Sequence, residues 1–304
     1  MTPYNTIYWD IIGLCNSNCL YCCNGGNNVL GQNHREQAGI LSLIDFEVAL
    51  NLLINKGIAV PNQTHIELYN WGEPFMHPQF EDMLKLIVSK GFSLGLSTNA
   101  SIVKTIPIEV IPKLKSIRFS MPGFSQYSYD KIHGFNFNTI CNNIKTITDQ
   151  IKSVSSNVFI SIGFHFYKTN LSEMVEASMF CNKLGIHFFP FYAYLTSFTM
   201  MQKFLNNEID KKDINKIIHM EHLEMTRQKR PISYTCPQYT GLVLDEFCNV
   251  LQCCCTDRET TGHVIGKLQD INFEKLPEQR CNSSVCSICH SLKLDYMWHN
   301  AGVY

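Results

Sequence analysis

The sequence lacks a surplus of charge of either sign. Its 25 basic and 26 acidic residues leave a formal net charge of -1 over 304 residues. A face that binds nucleic acid needs clustered positive charge, so no nucleic-acid partner is expected. The densest basic stretch, Arg227 to Arg230, reads as a solvated helix end. No apolar run approaches the roughly 18 to 20 residues of a membrane span, which argues against a membrane partner. The opening MTPYNTIYWD has neither the basic nor the apolar region of a signal peptide. Internal repeats and low-complexity tracts are also missing. What remains is a cytoplasmic globular chain with enough apolar residues, 45%, for a sizeable core.

Cysteine is abundant, at 14 residues. In a reducing compartment so many thiols point to metal or redox chemistry and away from structural disulfides. Seven of them lie between Cys248 and Cys289, an eighth is Cys236, and four stand in CNSNCLYCC, residues 15–23.

Strand-like and helix-like segments alternate along the first two thirds. Strands are expected at 5–12, 64–71, 92–98, 115–121, 157–167 and 186–194. Helices are expected at 44–57, 78–91, 136–152 and 171–185, with a short helical stretch near 107–114. Such alternation implies parallel strands joined by crossover helices. Six units fall short of a closed eight-stranded barrel, so the expected fold is α/β, a partial (β/α)6 barrel with a small cysteine-rich C-terminal domain. The expected organisation is a barrel over 1–198, a helical connector over 199–231 and the cysteine-rich domain over 232–304.

Cys15, Cys19 and Cys22 form C-x3-C-x2-C on a loop leaving the first strand. Three thiolates on one tight loop can hold three corners of a [4Fe–4S] cubane and leave the fourth iron open, whereas ferredoxin loops supply all four ligands. Cys23 adjoins Cys22 and reads as a packed thiol. A zinc knuckle is the alternative, and it would want a fourth Cys or His at short range.

This spacing, with Tyr21 before the last cysteine, resembles the radical S-adenosylmethionine (SAM) enzymes. The segment NWGEP (70–74) looks like that family's Gly-Gly-Glu motif, with Trp71 in place of the first glycine. STNA (97–100) follows the third strand, and FSMPG (119–123) looks like the serine-bearing ribose segment, with Pro122 where many members have Asp. The resemblance implies that SAM chelates the open iron, that Glu73 and edge backbone groups hydrogen-bond its amine, and that Gly72 lets the backbone approach closely. It makes Asn99 and Ser120 candidates for its ribose and carboxylate, and Tyr21 a neighbour of its adenine. A bland reading of Glu73, as an N-cap partner of the helix after Pro78, stays open. It further implies a reduced cluster cleaving SAM to a 5′-deoxyadenosyl radical, fed by a low-potential donor such as flavodoxin or ferredoxin.

The C-terminal cysteines resemble those of SPASM and twitch domains. On that alignment Cys248 takes a hairpin glycine position. One auxiliary [4Fe–4S] cluster is then held by Cys236, Cys253, Cys286 and Cys289, with Cys254 as an alternative to Cys253. Four-thiolate zinc is the competing reading. Cys248, outside both sets, is a candidate hydrogen-atom donor, with a packed thiol as the alternative. The chain begins almost at its first strand, which leaves no room for a separate peptide-recognition domain. The expected substrate is therefore a small polar molecule, a sugar or aminocyclitol, undergoing dehydrogenation or epimerisation. A peptide-modifying maturase is the alternative, and a non-catalytic iron–sulfur sensor or electron carrier is the second.

Overall fold

In the computed structural model of the protein, residues 3–26, 34–193, 195, 198–209 and 230–300 are described. Six parallel strands form the first part of the sheet: β1 (Thr6–Trp9), β2 (His65–Glu67), β3 (Ser93–Thr98), β4 (Leu114–Met121), β5 (Phe159–Phe166) and β6 (His187–Tyr192). The crossovers carry α1 (Leu43–Asn55), α2 (Phe80–Ser89), α3 (Gln126–Lys131), α4 (Phe137–Lys152) and α5 (Met174–Leu184). The short helical stretch near 107–114 is a single 3-10 turn, Ile111–Lys113.

Local chemistry sets the helix ends. Ser42 accepts from the Asp45 N–H and starts α1, and Asn136 does the same for Thr139 at α4. At the end of α5, Gly185 takes the left-handed conformation at φ 62°, which a residue without Cβ adopts at little cost.

Residues alternate between the two faces of each strand. One face carries Ile7, Trp9, Ile66, Leu96, Ile117, Phe119, Ile162 and Phe164, all buried in one cluster with the apolar sides of the helices. Trp9 meets Phe46 of α1 with ring centroids 4.5 Å apart. Strand register puts Tyr8, Glu67, Ser97, Arg118, Ser120 and His165 on the opposite face. That inner face is polar, as a cavity for a polar ligand requires.

The C-terminal region extends the same sheet. β7 (Gly241–Leu244) pairs in parallel with β1, and β8 (Asn249–Leu251) and β9 (Val264–Lys267) follow in antiparallel order. The strand order among the described residues is β6-β5-β4-β3-β2-β1-β7-β8-β9. The two cysteine-bearing regions therefore share one sheet. Helices α7 (Leu276–Cys281), α8 (Ser284–Leu292) and α9 (Leu294–Asn300) close the chain. Of the expected connector over 199–231, the described part is α6 (Phe198–Leu205) and its flank, and residues 210–229 lie outside the described residues. No helix among the described residues is long and apolar enough to cross a membrane.

Candidate functional site

The loop after β1 is held in place mainly by backbone hydrogen bonds. Asn18 N–H donates to the His133 carbonyl at 3.0 Å, Gly25 N–H to Cys22 at 2.9 Å and Gly26 N–H to Ser17 at 3.1 Å. The Asn24 side chain donates to the carbonyls of Gly13 and Trp71 at 2.8 and 2.9 Å, tying this loop to the one after β2. Cys15, Cys19 and Cys22 thereby line one pocket at the C-terminal ends of the strands. Tyr21, Gly72, Glu73, Asn99 and Ser120 line the same pocket, so residues far apart in the sequence meet there.

The loop after β2 is set by Asp10, a residue that sequence reasoning missed. Its buried carboxylate accepts from the N–H groups of Asn70 at 2.9 Å, Trp71 at 3.0 Å and Gly72 at 3.1 Å. At Gly72 a Cβ would lie 1.7 Å from the carbonyl oxygen of Ile12, so only glycine fits that close approach. Trp71, standing where the family has glycine, donates its indole N–H to the Thr256 carbonyl at 3.1 Å and joins this loop to the second cysteine region.

Glu73 is buried and partly engaged by the protein itself. Its Oε1 accepts from Phe75 N–H at 3.1 Å and Thr98 Oγ1 at 2.7 Å, and its Oε2 accepts from Asn99 N–H at 2.7 Å. The N-cap role is thus real, on the 3-10 turn Pro74–Met76 and not on the helix after Pro78. A carboxylate oxygen has room for about two donors, so Oε2 retains an acceptor position. Burial raises the Glu73 carboxyl to about 7 against the lowering effect of these hydrogen bonds.

Asn99 is likewise committed. Its amide donates to Asn16 Oδ1 at 2.9 Å and lies 3.9 Å from Cys15 Sγ, and its Oδ1 accepts from Ser101 N–H. Tyr21 contacts His165 Nδ1 at 3.0 Å and His133 Nε2 at 3.4 Å through its hydroxyl. Both histidines line the pocket. His165 sits on the inner face of β5 beside Gly163, and that alternation was the available signal.

The donor chemistry of the loop fits an iron–sulfur cluster. Burial pushes the Cys15 thiol well up, with Glu73 adding to the shift, and burial then Cys22 push Cys19 to about 12. Buried neighbouring thiols ionise only against a strong positive centre, which a metal core supplies.

The second set also converges. Cys236, Cys253, Cys286 and Cys289 line one cavity with Gln252, Arg280 and Asp295. Ser283 caps α8 by accepting from Cys286 N–H at 3.1 Å, and Cys286 and Cys289 stand one turn apart on that helix. Cys254 is not among the lining residues, and its sulfur lies 3.7 Å from that of Cys255. Among the described residues no three Cys, His, Asp or Glu side chains are placed to hold a single metal ion. Each cysteine set lines a pocket of its own.

Cys248 is placed elsewhere. It occupies the β7–β8 turn with φ 55°, in keeping with a glycine position. It faces a groove with Asp45, Val48 and Leu52 of α1, outside the pocket of Cys15, Cys19 and Cys22. The thiol lies on the helix-covered side of the sheet, where burial raises it to about 12.

No family model matches the chain. It is similar to two curated proteins. One is the antilisterial bacteriocin subtilosin biosynthesis protein AlbA of Bacillus subtilis, 19% identical over 188 residues, covering 60% of this chain and 38% of that protein. The other is the tungsten-containing aldehyde ferredoxin oxidoreductase cofactor-modifying protein of Pyrococcus furiosus, 27% identical over 119 residues, covering 39% and 30%. The match thus spans about a third of each curated relative. Among solved structures, Streptococcus suis SuiB shares the fold at 13% identity. Bound to precursor peptide SuiA it gives a TM-score of 0.60 over 91% of this chain and 65% of that one. Bound to S-adenosylmethionine it gives 0.59 over 96% and 72%. The resemblance read from the sequence stands at the level of fold: the chain shares the fold of the radical SAM enzymes it resembles, and its C-terminal region is cysteine-rich.

Proposed function

We propose that the chain is a radical SAM enzyme that modifies a peptide. The observation that carries the first half is the single pocket uniting Cys15, Cys19 and Cys22 with Gly72, Glu73 and Ser120. In this reading the three cysteines hold a [4Fe–4S] cluster with one open iron. When bound and reduced, that cluster with SAM supplies a 5′-deoxyadenosyl radical able to take hydrogen from an unactivated C–H bond.

The chain's own residues then have defined tasks. Glu73 Oε2 accepts from the SAM amine, a charge-assisted contact in a buried setting. The Gly72 backbone permits close approach, and Ser120 offers a hydroxyl from β4. Tyr21 walls the pocket, its phenol fixed by His165. On the inner face, Tyr8, Tyr69 and Arg118 present polar groups to a substrate, with Arg118 5.6 Å from the Phe189 ring. Cys236, Cys253, Cys286 and Cys289 hold the auxiliary cluster.

The sugar or aminocyclitol expected from the sequence gives way to a peptide. The support is AlbA, named for bacteriocin biosynthesis and aligned over 60% of this chain. SuiB, which shares the fold, is known bound to a precursor peptide, and that supports the reading. The test is anaerobic reconstitution followed by assay of 5′-deoxyadenosine with SAM and dithionite, adding pools of synthetic peptides or of sugars and aminocyclitols. Stimulation by peptides alone supports the reading, and stimulation by sugars alone restores the other.

A further inference from the structure

Arg280, near the end of α7, exposes only 2% of its surface. A guanidinium keeps its proton in any protein setting, so this is a fixed buried charge. Its Nε donates to the Gln252 carbonyl at 2.7 Å and its Nη1 to the Gly241 carbonyl at 2.8 Å. Its Nη2 is buried and makes no hydrogen bond of good geometry among the described residues, and the other polar group beside the guanidinium is the neutral Tyr4 hydroxyl. Among the described residues no carboxylate pairs with it. The buried Asp295 in the same cavity is bound to Arg230 at 2.8 Å. A buried cation without a counter-ion is strongly destabilising. The arrangement makes sense when an anion stands in the cavity.

The same cavity is lined by Cys236, Cys253, Cys286 and Cys289. Gln252 links the guanidinium to the thiols: its side-chain amide donates to the Arg280 carbonyl at 2.9 Å and to Cys286 Sγ at 3.1 Å.

We propose that Arg280 is the built-in counter-charge of the auxiliary iron–sulfur cluster and holds its reduction potential up. This rests on reading the second cysteine set as a cluster site. A four-iron cluster on four thiolates is anionic in both redox states and gains one more negative charge on reduction. A fixed cation in a low-dielectric cavity therefore stabilises the reduced form more than the oxidised form. Arg280 acts through the cluster and is a positioning residue, not a catalytic one.

The experiment uses the full chain with Cys15, Cys19 and Cys22 all changed to Ala, so that only the second set can carry iron. Arg280→Gln and Arg280→Lys are made in that background and reconstituted anaerobically. Iron is counted, and the midpoint is read by potentiometric titration followed by electron paramagnetic resonance. The parent should hold about four irons. Arg280→Gln should keep them and titrate at a more negative midpoint, with at least a tenfold weaker preference for the reduced form, about 59 mV for one electron. Arg280→Lys should recover most of that shift. An unchanged midpoint in Arg280→Gln overturns the proposal. So does equal loss of iron from both variants, which would make Arg280 a support of the fold alone. A parent that takes up zinc and no iron defeats the auxiliary-cluster reading itself, and the proposal with it.

Discussion

The Asp10 carboxylate and the Gly72 backbone N–H lie 3.1 Å apart, joining the end of β1 to the loop that carries Glu73. Asn70 and Trp71 donate to the same carboxylate, so one buried acid orders three successive peptide groups. The loop has its shape before any ligand arrives.

Asp10→Ala should leave those N–H groups without their acceptor. Hydrogen bonds to a charged group contribute about 1.5–3 kcal/mol each, so a loss of about 3 kcal/mol or more in stability is expected. SAM affinity should fall at least tenfold while the iron held by Cys15, Cys19 and Cys22 is kept. Iron analysis and equilibrium dialysis with labelled SAM check both halves.

Stability should respond to pH in two opposite ways. Burial raises Asp10 to about 7 against its hydrogen bonds from Trp71, Gly72 and Asn70. The unfolded carboxyl ionises near pH 4, so between about 4 and 7 the folded state holds the extra proton and stability falls as pH rises. Burial lowers His133 to about 3, so its contribution is lost as pH falls below about 6.5. Each slope is at most about 1.4 kcal/mol per pH unit. Thermal unfolding of wild type should gain on Asp10→Asn as pH drops from 7 to 5, and should lose ground to His133→Gln over the same range.

The strands and the first cysteine loop were legible because their signals are local. β3 and β4 fall within one residue of the expected segments, and the Gly185 stop is where the chain turns left-handed. β1 ends at Trp9, shorter than expected, although Asp10 N–H still donates to the Leu244 carbonyl at 3.0 Å while its side chain holds a loop about 60 residues away. An acid in the apolar run YWDII was its trace. α3 was missed because QYSYDK shows no apolar period. The Tyr21–His133–His165 group joins residues 112 and 144 positions apart, and no local pattern announces it. The placement of Cys248 followed the same rule: its backbone angle suits a glycine site, but its surroundings were set by α1.

Glu73→Gln should weaken SAM binding about tenfold or more, the loss of a charge-assisted contact. The substitution keeps an oxygen for Thr98 and Phe75 but turns an N–H toward the Asn99 amide, so a modest stability loss should accompany it. Unchanged SAM affinity in a destabilised variant would leave Glu73 with its capping role alone.

Cys253 and Cys254 should separate cleanly. Only Cys253 lines the cavity with Cys236, Cys286 and Cys289. Cys253→Ala should lose the auxiliary iron, and Cys254→Ala should keep about eight irons per chain. The reverse result would move the ligand by one residue.

The central claim is that the Cys15, Cys19 and Cys22 pocket brings SAM to a reducible cluster. Its most direct measurement is 5′-deoxyadenosine formed from SAM by the anaerobically reconstituted chain under dithionite, compared with Cys22→Ala. The account predicts product from the wild-type chain and none above background from the variant. A wild-type chain that carries its full iron and leaves SAM intact, with peptide pools present, would contradict it.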